Sequence, residues 1–252
     1  MRTLFLQAPS FEGFDGGAGS RYQAKREIKS YWYPTWLAQL AAMVPDSRLI
    51  DAPPHDIGLD QIVAQANDFD LVVMHSSTPT FTSDIAAARA LKAANPNLKV
   101  GLVGANIAID PRRSLEKAEP IDFVTAKDYD FTIRDVAAGK PYADISGLCY
   151  RDQNGDVQET APRTTLTDMD DLPFVTPVYH RDLKIENYFI GYLKHPYISF
   201  YSGRGCKSRC TFCLWPQTIG GHKYRTRSVE NVVEEIRWAK AAMPQVKEFF
   251  FD

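Results

Sequence analysis

The sequence has little net charge, few cysteines and no long apolar segment. Its 252 residues include 29 Lys and Arg against 31 Asp and Glu, a formal net charge of −2, and the basic residues are scattered. A protein that binds nucleic acid or an anionic membrane would show a basic patch, so neither partner is indicated. No uninterrupted apolar run approaches the roughly 20 residues that cross a bilayer. These absences predict a cytoplasmic globular protein.

Cysteine is both rare and unevenly placed. The chain has four cysteines, and Cys206, Cys210 and Cys213 lie close together in the sequence. A disulfide framework would spread more cysteines through a smaller chain, whereas this distribution is typical of a metal site. Cys149 stands alone in an apolar stretch, which predicts a buried strand residue.

Short apolar segments alternate with helical patterns over residues 1–145, as in the βαβ units of a parallel sheet. The five predicted strands are 3–7, 47–50, 71–75, 100–103 and 122–125. Apolar residues at helical spacing predict helices over 33–43 and 84–94, which would cover the faces of the sheet. The pattern predicts an α/β fold in which residues 1–145 form a Rossmann-like parallel sheet with flanking helices.

The pattern changes after residue 145. Segments 147–151 and 157–160 flank an Asn-Gly pair, which predicts a β-hairpin. Residues 161–190 are rich in Thr, Asp and Pro, which favours an extended linker over a packed element. We therefore assign residues 146–190 to a hairpin and a linker between two domains.

The last region, residues 191–252, reads as one βα unit followed by a strand. A strand is predicted at 197–201 and a helix over 228–243, with Ser228 as its N-cap. Arg225 and Arg227 precede this helix and are predicted to be solvated surface residues, with a ligand carboxylate or phosphate as the alternative partner. A parallel (β/α) barrel needs several more such units to close. The sequence therefore predicts the first part of a barrel domain in a truncated chain.

The three clustered cysteines form a C-x3-C-x2-C motif, with Phe212 before the last of them. Three thiolates can hold three corners of a cubane iron–sulfur cluster and leave the fourth iron open. Thiolates also bind zinc, and His222 would complete a Cys3His site. Unliganded core thiols are a third alternative, although the polar residues between the cysteines indicate a loop. The residues favour the cluster and leave zinc as the alternative.

A strand, the motif Gly-Cys-x3-Cys-x-Phe-Cys and then a helix resemble the radical S-adenosylmethionine superfamily. The resemblance implies a four-iron, four-sulfur cluster on the three cysteines, with S-adenosylmethionine bound and reductively cleaved at the open iron. It also implies that Phe212 lies near the adenine and that Asp252 lies near the methionine amine. The alternative role for Phe212 is simple apolar anchoring of the loop. A flavodoxin- or ferredoxin-type protein would supply the electron. The sequence leaves the catalytic residues unknown.

A Rossmann-like domain before such a motif is similar to the cobalamin-binding arrangement, in which the corrin lies over the strand ends and its tail enters the sheet. Ser76 and Ser77, after the third predicted strand, and Gly104, after the fourth, match the small-residue loops that admit the tail. Small residues also occur in any tight βα turn. The cobalt-ligating signature Asp-x-His-x-x-Gly is missing after the first strand, and His55 follows the second strand with Pro53 in the aspartate position. Members of this superfamily often bind cobalamin without a histidine ligand, so the missing signature does not exclude this cofactor, and the sequence leaves its binding open.

Three longer segments, 31–36, 213–217 and 221–228, resemble the hopanoid-biosynthesis-associated members of this superfamily in bacteria. The resemblance implies contraction of a sugar ring to a cyclitol ether on a hopanoid substrate, with transient membrane contact through the apolar hopanoid. Two other hypotheses stay open. One is a cobalamin-dependent radical methyltransferase, and the other is a zinc-stabilised module that binds a ligand without catalysis.

Overall fold

A seven-stranded sheet is the largest element of the computed structural model, which describes residues 1–11, 14–15, 23–24, 30–218 and 220–251. In chain order the strands are β1 (Thr3–Gln7), β2 (Phe14–Asp15), β3 (Gln23–Ala24), β4 (Ser47–Asp51), β5 (Leu71–His75), β6 (Lys99–Val103), β7 (Phe123–Thr125), β8 (Leu148–Arg151), β9 (Val157–Glu159), β10 (Tyr197–Phe200), β11 (Gly203–Arg204), β12 (Arg225–Thr226) and β13 (Glu248–Phe251). The helices are α1 (Thr35–Met43), α2 (Leu59–Val63), α3 (Phe81–Ala94), α4 (Ala105–Ile109), α5 (Pro111–Glu116), α6 (Asp130–Ala137), α7 (Thr176–Asp182) and α8 (Val229–Ala242).

The strand order in the large sheet is β4-β1-β5-β6-β7-β8-β9. The first five of these strands run parallel, and β8 and β9 add an antiparallel edge. Since β1 lies between β4 and β5, the direction of winding reverses there, as in doubly wound α/β folds. The predicted parallel sheet is confirmed, and each of its five strands agrees with its prediction within one residue at either end.

The predicted hairpin is also present, but it belongs to the sheet. Its first strand, β8, pairs with β7, and Cys149 opposite Val124 is buried as predicted. The hairpin therefore continues the hydrogen-bond ladder of β7, whereas the prediction placed it with the linker between the two domains. Without β8, the edge of β7 would present unpaired backbone N–H and C=O groups, and β8 provides their hydrogen-bond partners.

Each face of the sheet is covered by its own apolar core, as the alternation of side chains along the strands requires. Phe5 of β1 packs on one face with α1, α6 and α7, whereas Leu4 and Leu6 pack on the other face with α2 to α5. Helices on both faces of a largely parallel sheet make a three-layer α/β architecture.

The prediction of an extended linker over 161–190 is wrong for its second half. Residues 176–182 form α7, and short 3-10 turns occupy 169–171 and 185–187. Val178, Tyr179 and Tyr188 are buried in the core on the α1 face. The proline content misled the prediction, since a proline in the first turn of α7 is compatible with a helix start.

The C-terminal region contains a second, smaller sheet. β10 and β13 pair in parallel through the connection that contains α8, which agrees with the predicted βα unit. The Ser228 hydroxyl accepts a hydrogen bond from the Asn231 amide at 3.1 Å, so the predicted N-cap is confirmed. Asp252 lies outside the described residues. The longest described helices, α3 and α8, have 14 residues each, so none can span a membrane.

Candidate functional site

The carboxyl ends of β4, β1, β5, β6 and β7 meet at one side of the large sheet, which we call the carboxyl edge. In open α/β sheets ligands bind outside these strand ends, at the point where the strand order reverses. That point lies between β1 and β5. Ser76 and Ser77 follow β5 directly, and Gly104 follows β6. The structure therefore places all three predicted cofactor-binding residues of the first domain at the carboxyl edge.

Gly104 allows the loops after β5 and β6 to touch. Its φ is +130°, and a Cβ atom there would lie 2.3 Å from the Ser76 carbonyl oxygen. The Ser76 amide also donates to the Val103 carbonyl at 2.8 Å. Only glycine fits this close approach and this conformation. The structure thus brings Ser76 and Gly104 together, and their contact with a cofactor tail stays a prediction.

The loop after β5 is held in shape by its own side chains. The Ser77 amide donates to the Thr80 hydroxyl oxygen at 3.0 Å, and the two hydroxyls lie 3.0 Å apart. The Thr78 hydroxyl donates to Asn106 Oδ1, also at 3.0 Å, which links the loop to α4. The Ser77 hydroxyl therefore has a hydrogen-bond partner within the loop. The Ser76 hydroxyl has none among the described residues.

Several buried polar atoms at the carboxyl edge have no hydrogen-bond partner among the described residues. They belong to Gln7, Asp51, Ser76, Asp84 and Thr125. Three of these residues end a strand, and Ser76 begins a loop. A buried polar group without a partner costs about 1–3 kcal/mol, so proteins keep few of them. This edge is therefore suited to a ligand that carries polar groups, which fits the amides and tail of a corrinoid.

Burial shifts the ionisation of the residues at this edge. It raises the pKa of Asp84 to about 7, although the nearby Ser76 and Thr80 hydroxyls lower it in part. Neither hydroxyl is close and aligned enough to count as a hydrogen bond to that carboxyl group. Burial also lowers the pKa of His75 to about 4, so its imidazole is neutral at pH 7. Burial therefore disfavours the charged forms of both Asp84 and His75.

His55 has a structural role. Its Nδ1 lies 2.7 Å from the Asp51 carbonyl oxygen, and the Lys184 amide donates to its Nε2 at 3.0 Å. Nε2 must therefore be the acceptor and Nδ1 the donor. Burial lowers the pKa of His55, which favours this neutral form. Since both ring nitrogens have protein partners, His55 is not available to a metal, in agreement with the missing signature.

The three clustered cysteines lie on one loop, residues 205–224, between the antiparallel strands β11 and β12; we call it the cysteine loop. Cys206 and Cys210 are exposed, Cys213 is half-buried, and no disulfide links them. Across the described ranges, no three His, Cys, Asp or Glu side chains are grouped as metal ligands. Three thiols on an exposed polar loop still fit the donor set of a cubane cluster with an open iron. Ligation by these cysteines stays a prediction.

Phe212 points away from the protein. Its side chain is 89% exposed, so anchoring of the loop by apolar burial, the alternative to a contact with adenine, is wrong. The aromatic anchor of the loop is Trp215, whose ring stacks on Trp36 of α1 with centroids 6.4 Å apart and planes 10° apart. The proposed adenine contact of Phe212 stays a prediction.

Both ends of the cysteine loop are fixed by Asp128, Asp130, Arg204 and Arg225, which we call the ion cluster. Arg204 Nη1 lies 2.5 Å from Asp130 Oδ2, and Arg225 Nη1 lies 2.6 Å from Asp128 Oδ2. These four side chains are at most 8% exposed. The two aspartates follow β7 at the carboxyl edge. The ion cluster therefore ties both ends of the cysteine loop to the segment that follows β7 at the carboxyl edge.

The prediction of solvated arginines before α8 is wrong. Arg225 is buried in the ion cluster and also donates to the Gly220 carbonyl of the cysteine loop at 3.0 Å. Arg227 Nη1 lies 2.6 Å from Glu235 Oε2, and these side chains are 7% and 0% exposed. Glu235 also accepts from the Val175 amide at 2.8 Å. Their acidic partners lie far away in the sequence or on the next helix, so local patterns could not reveal them.

Comparison with known proteins finds a family match in the first part of the chain. Residues 24–135 match the family described as the B12 binding domain, a range that runs from β3 into α6. The matched range contains Ser76, Ser77, Asp84 and Gly104. Apart from that of Gln7, the unpaired polar atoms of the carboxyl edge and the close approach at Gly104 thus lie in the part of the chain that matches this family.

Two curated proteins are similar to parts of the chain. A cytidylyl-2-hydroxyethylphosphonate methyltransferase of Streptomyces wedmorensis is 29% identical over an alignment of 120 residues, and the match covers 37% of this chain and 22% of that protein. A tRNA-2-methylthio-N(6)-dimethylallyladenosine synthase of Thermodesulfovibrio yellowstonii is 24% identical over 164 residues, 65% of this chain and 31% of that protein. The chain thus spans less than a third of the length of these relatives.

Solved structures show the same fold. One match is the methyltransferase TsrM from Kitasatospora setae with cobalamin and a [4Fe-4S] cluster bound. The superposition has a TM-score of 0.64 at 15% identity and covers 100% of this chain and 48% of the TsrM chain. Another match is the radical enzyme OxsB with aqua-cobalamin and S-adenosylmethionine bound. This superposition has a TM-score of 0.63 at 16% identity and covers 84% of this chain and 29% of the OxsB chain. The chain therefore combines a B12-binding match over residues 24–135 with the fold of cobalamin-dependent S-adenosylmethionine radical enzymes.

Proposed function

We propose that this chain is the cobalamin-binding and S-adenosylmethionine-cleaving part of a cobalamin-dependent radical methyltransferase. One observation carries the proposal: unpaired buried polar groups at the carboxyl edge of a B12-type domain lie on the same side of the sheet as the cysteine loop. The ion cluster holds that loop in place. We infer from these positions that the two predicted cofactor sites lie on the same side of the large sheet.

Each set of residues has a defined task under this proposal. Ser76 contributes a hydrogen-bonding hydroxyl to cobalamin, and Gly104 keeps the space above Ser76 free of a side chain. Cys206, Cys210 and Cys213 hold the cluster. When bound, cobalamin supplies a transferable methyl group, and the cluster supplies the electron that cleaves S-adenosylmethionine.

The remaining predicted contacts are part of the same proposal. Phe212 is exposed and so is available to cover the adenine of S-adenosylmethionine. Asp252, outside the described residues, would contact the methionine amine. A flavodoxin- or ferredoxin-type protein would reduce the cluster at the exposed cysteine loop.

The relatives favour methyl transfer over ring contraction of a hopanoid-linked sugar. One curated relative and one solved structure are methyltransferases by name. The substrates in the two curated names, a cytidylyl phosphonate and a tRNA adenosine, are unlike a hopanoid and unlike each other. We therefore propose the reaction class and a small-molecule substrate, and we leave hopanoid as a hypothesis without support from these relatives.

The test is anaerobic reconstitution of the chain with iron and sulfide, followed by metal analysis and electron paramagnetic resonance. We expect about four irons per chain and a reduced-cluster signal that shifts when S-adenosylmethionine is added. Cys206→Ala should lose the signal. Cys149→Ala is the matched control, because Cys149 is buried in β8 and its variant should keep the signal. A colourless protein with stoichiometric zinc would instead establish the zinc-stabilised binding module.

A further inference from the structure

The segment around the cysteine loop has no acidic residue of its own. Residues 187–229 contain seven Lys and Arg and no Asp or Glu. Arg204 and Arg225, one at each end of the loop, are nevertheless buried, and a buried guanidinium is stable only beside an anionic group. The carboxylates that pair with these two arginines therefore have to come from another part of the chain.

Asp128 of the first domain supplies the carboxylate that both arginines share. Its Oδ2 lies 2.6 Å from Arg225 Nη1, and its Oδ1 lies 3.3 Å from Arg204 Nη1. Asp130 pairs with Arg204 and not with Arg225. Among the described residues, Asp128 is thus the one carboxylate that contacts both ends of the cysteine loop.

The contacts of Asp128 continue into the backbone of the loop. Arg225 Nη2 donates to the Gly220 carbonyl at 3.0 Å. The carbonyl of the adjacent Gly221 accepts from the Cys206 amide at 3.1 Å. Asp128 therefore fixes the Arg225 guanidinium, and the guanidinium fixes the backbone that binds the first cysteine of the motif.

The backbone directly before Asp128 is unusual. Lys127 has a φ of +51°, in the left-handed region that favours glycine. The Lys127 side chain is exposed, so burial of that side chain does not explain the turn. Backbone of this kind persists where the surrounding structure requires it, and it is enriched at functional sites. The turn therefore favours a role for Asp128 beyond the packing of its own domain.

We propose that Asp128 is a positioning residue for the iron–sulfur cluster, holding the two ends of the cysteine loop so that Cys206, Cys210 and Cys213 are presented for cluster assembly. This inference rests on the proposed binding of a cluster by these cysteines. It gives the first domain a second task besides the binding of cobalamin, because the carboxylate that shapes the cysteine loop belongs to that domain.

The test measures the loop and the cluster separately in the full chain, for the wild type, Asp128→Asn and Asp135→Asn. Asparagine keeps the size of the side chain and removes its charge. Asp135 of α6 is the matched control: it lies 2.7 Å from Lys140 Nζ and is 10% exposed, against 8% for Asp128, but it does not contact the cysteine loop. Hydrogen–deuterium exchange without metal follows residues 205–224, and anaerobic reconstitution with iron analysis follows cluster assembly.

Asp128→Asn should accelerate exchange in residues 205–224 about tenfold or more, the effect expected for the loss of one charged hydrogen bond, and leave exchange in β5 and β6 unchanged. Its iron uptake should be slower than that of the wild type by a similar factor. Equilibrium dialysis should show unchanged retention of cobalamin, whereas a residue that only stabilised the fold would affect cobalamin and iron together. Asp135→Asn should match the wild type in loop exchange and iron uptake.

Four outcomes would overturn the inference. Wild-type exchange of the loop in Asp128→Asn would exclude positioning by this residue. Faster exchange with wild-type iron uptake would show that cluster assembly does not depend on the shape of the loop. Equal losses of iron and cobalamin would assign Asp128 to general support of the fold. A wild type that takes up no iron would overturn the proposed function and this inference with it.

Circular dichroism verifies that each variant is folded. If Asp128→Asn is unfolded, Arg225→Lys takes its place, because lysine keeps the positive charge and loses the forked donors that bind Asp128 and the Gly220 carbonyl together. The same changes in loop exchange and iron uptake are expected, and wild-type values of both would contradict the inference.

Discussion

Two groups of buried polar residues lie at the same edge of the sheet and differ in how they are paired. In the ion cluster, each aspartate accepts hydrogen bonds from at least one arginine. Around Ser76 and Asp84, the buried hydroxyl and carboxyl atoms have no partner among the residues that the structure describes. In the first group every carboxylate is paired with an arginine, although the Nε atoms of Arg204 and Arg225 have no partner among the described residues, and these pairs fix both ends of the cysteine loop. The second group is incomplete within the protein, which is the property expected of a ligand site.

The largest effect should come from breaking the ion cluster. Arg204→Met leaves the Asp130 carboxylate buried without its main partner, and an uncompensated buried charge costs about 3–5 kcal/mol. We expect a loss of this size in the free energy of unfolding from urea titration. Arg237→Ala is the control, because its pair with Glu234 is 68% and 60% exposed and should contribute less than about 1 kcal/mol. Equal losses in the two variants would show that the ion cluster does not hold the structure.

Substitution of Asp84 should raise the free energy of unfolding, whereas Arg204→Met lowers it. The pKa of Asp84 is about 7 in the folded protein and 3.8 in the unfolded chain, so the folded state binds the extra proton between these values. Stability of the wild type therefore falls as the pH rises from about 4 to about 7 and is constant above that. Asp84→Asn does not titrate and should become more stable than the wild type over this range, by at most about 4 kcal/mol.

Urea unfolding of both proteins without ligand at several pH values between 4 and 8 measures this difference. Asp51, whose pKa burial also raises to about 7, is present in both proteins, so its contribution cancels. A stability difference that does not change with pH would contradict the buried, unpaired state of Asp84.

Gly104 tests the close approach of the two loops. Gly104→Ala should destabilise the protein by about 2–3 kcal/mol, because its Cβ would meet the Ser76 carbonyl oxygen and the backbone conformation disfavours a side chain. Gly139 has a φ of +81° but no atom near its Cβ position, so Gly139→Ala should cost only about 1 kcal/mol. Thermal unfolding measures both variants. Equal costs would mean that conformation alone, and not contact with Ser76, requires glycine at position 104.

The smallest effect should come from a residue with an ordinary capping role. Ser228→Ala removes the hydroxyl that accepts from the Asn231 amide and should cost about 1 kcal/mol without changing cobalamin binding. Urea unfolding and a cobalamin titration on the same sample measure the two effects. A change in affinity would indicate that α8 influences the carboxyl edge.

The sequence predicts the parts of the fold that depend on local patterns. Apolar runs bounded by polar residues located the five parallel strands, and the strand–loop pattern located Ser76 and Gly104. The helix α7 was missed because its proline was taken as a sign of extended chain. Prolines are as compatible with the first turn of a helix as with a linker. Local composition could not separate the two.

The sequence could not predict which polar residues are buried. Arg225 looks like a surface residue until the fold places it 2.6 Å from Asp128, which lies 97 positions away in the chain. Asp84 looks like part of a solvated helix face, and only the packing of α3 against the sheet shows that its carboxyl is buried. Polar residues at the ends of apolar strands, such as Gln7 and Thr125, are a further signal in the sequence that points to this edge.

The most direct test of the central claim is equilibrium dialysis of the chain against hydroxocobalamin, with Ser76→Phe as the matched variant. Phenylalanine at position 76 would replace a small, fully buried hydroxyl side chain at the carboxyl edge with a bulky ring. We expect the wild type to retain about one cobalamin per chain, as the single order reversal of a doubly wound sheet implies, and folded Ser76→Phe to retain little. Folded wild-type protein that leaves cobalamin in the dialysis buffer would contradict the assignment of the carboxyl edge as a cobalamin site.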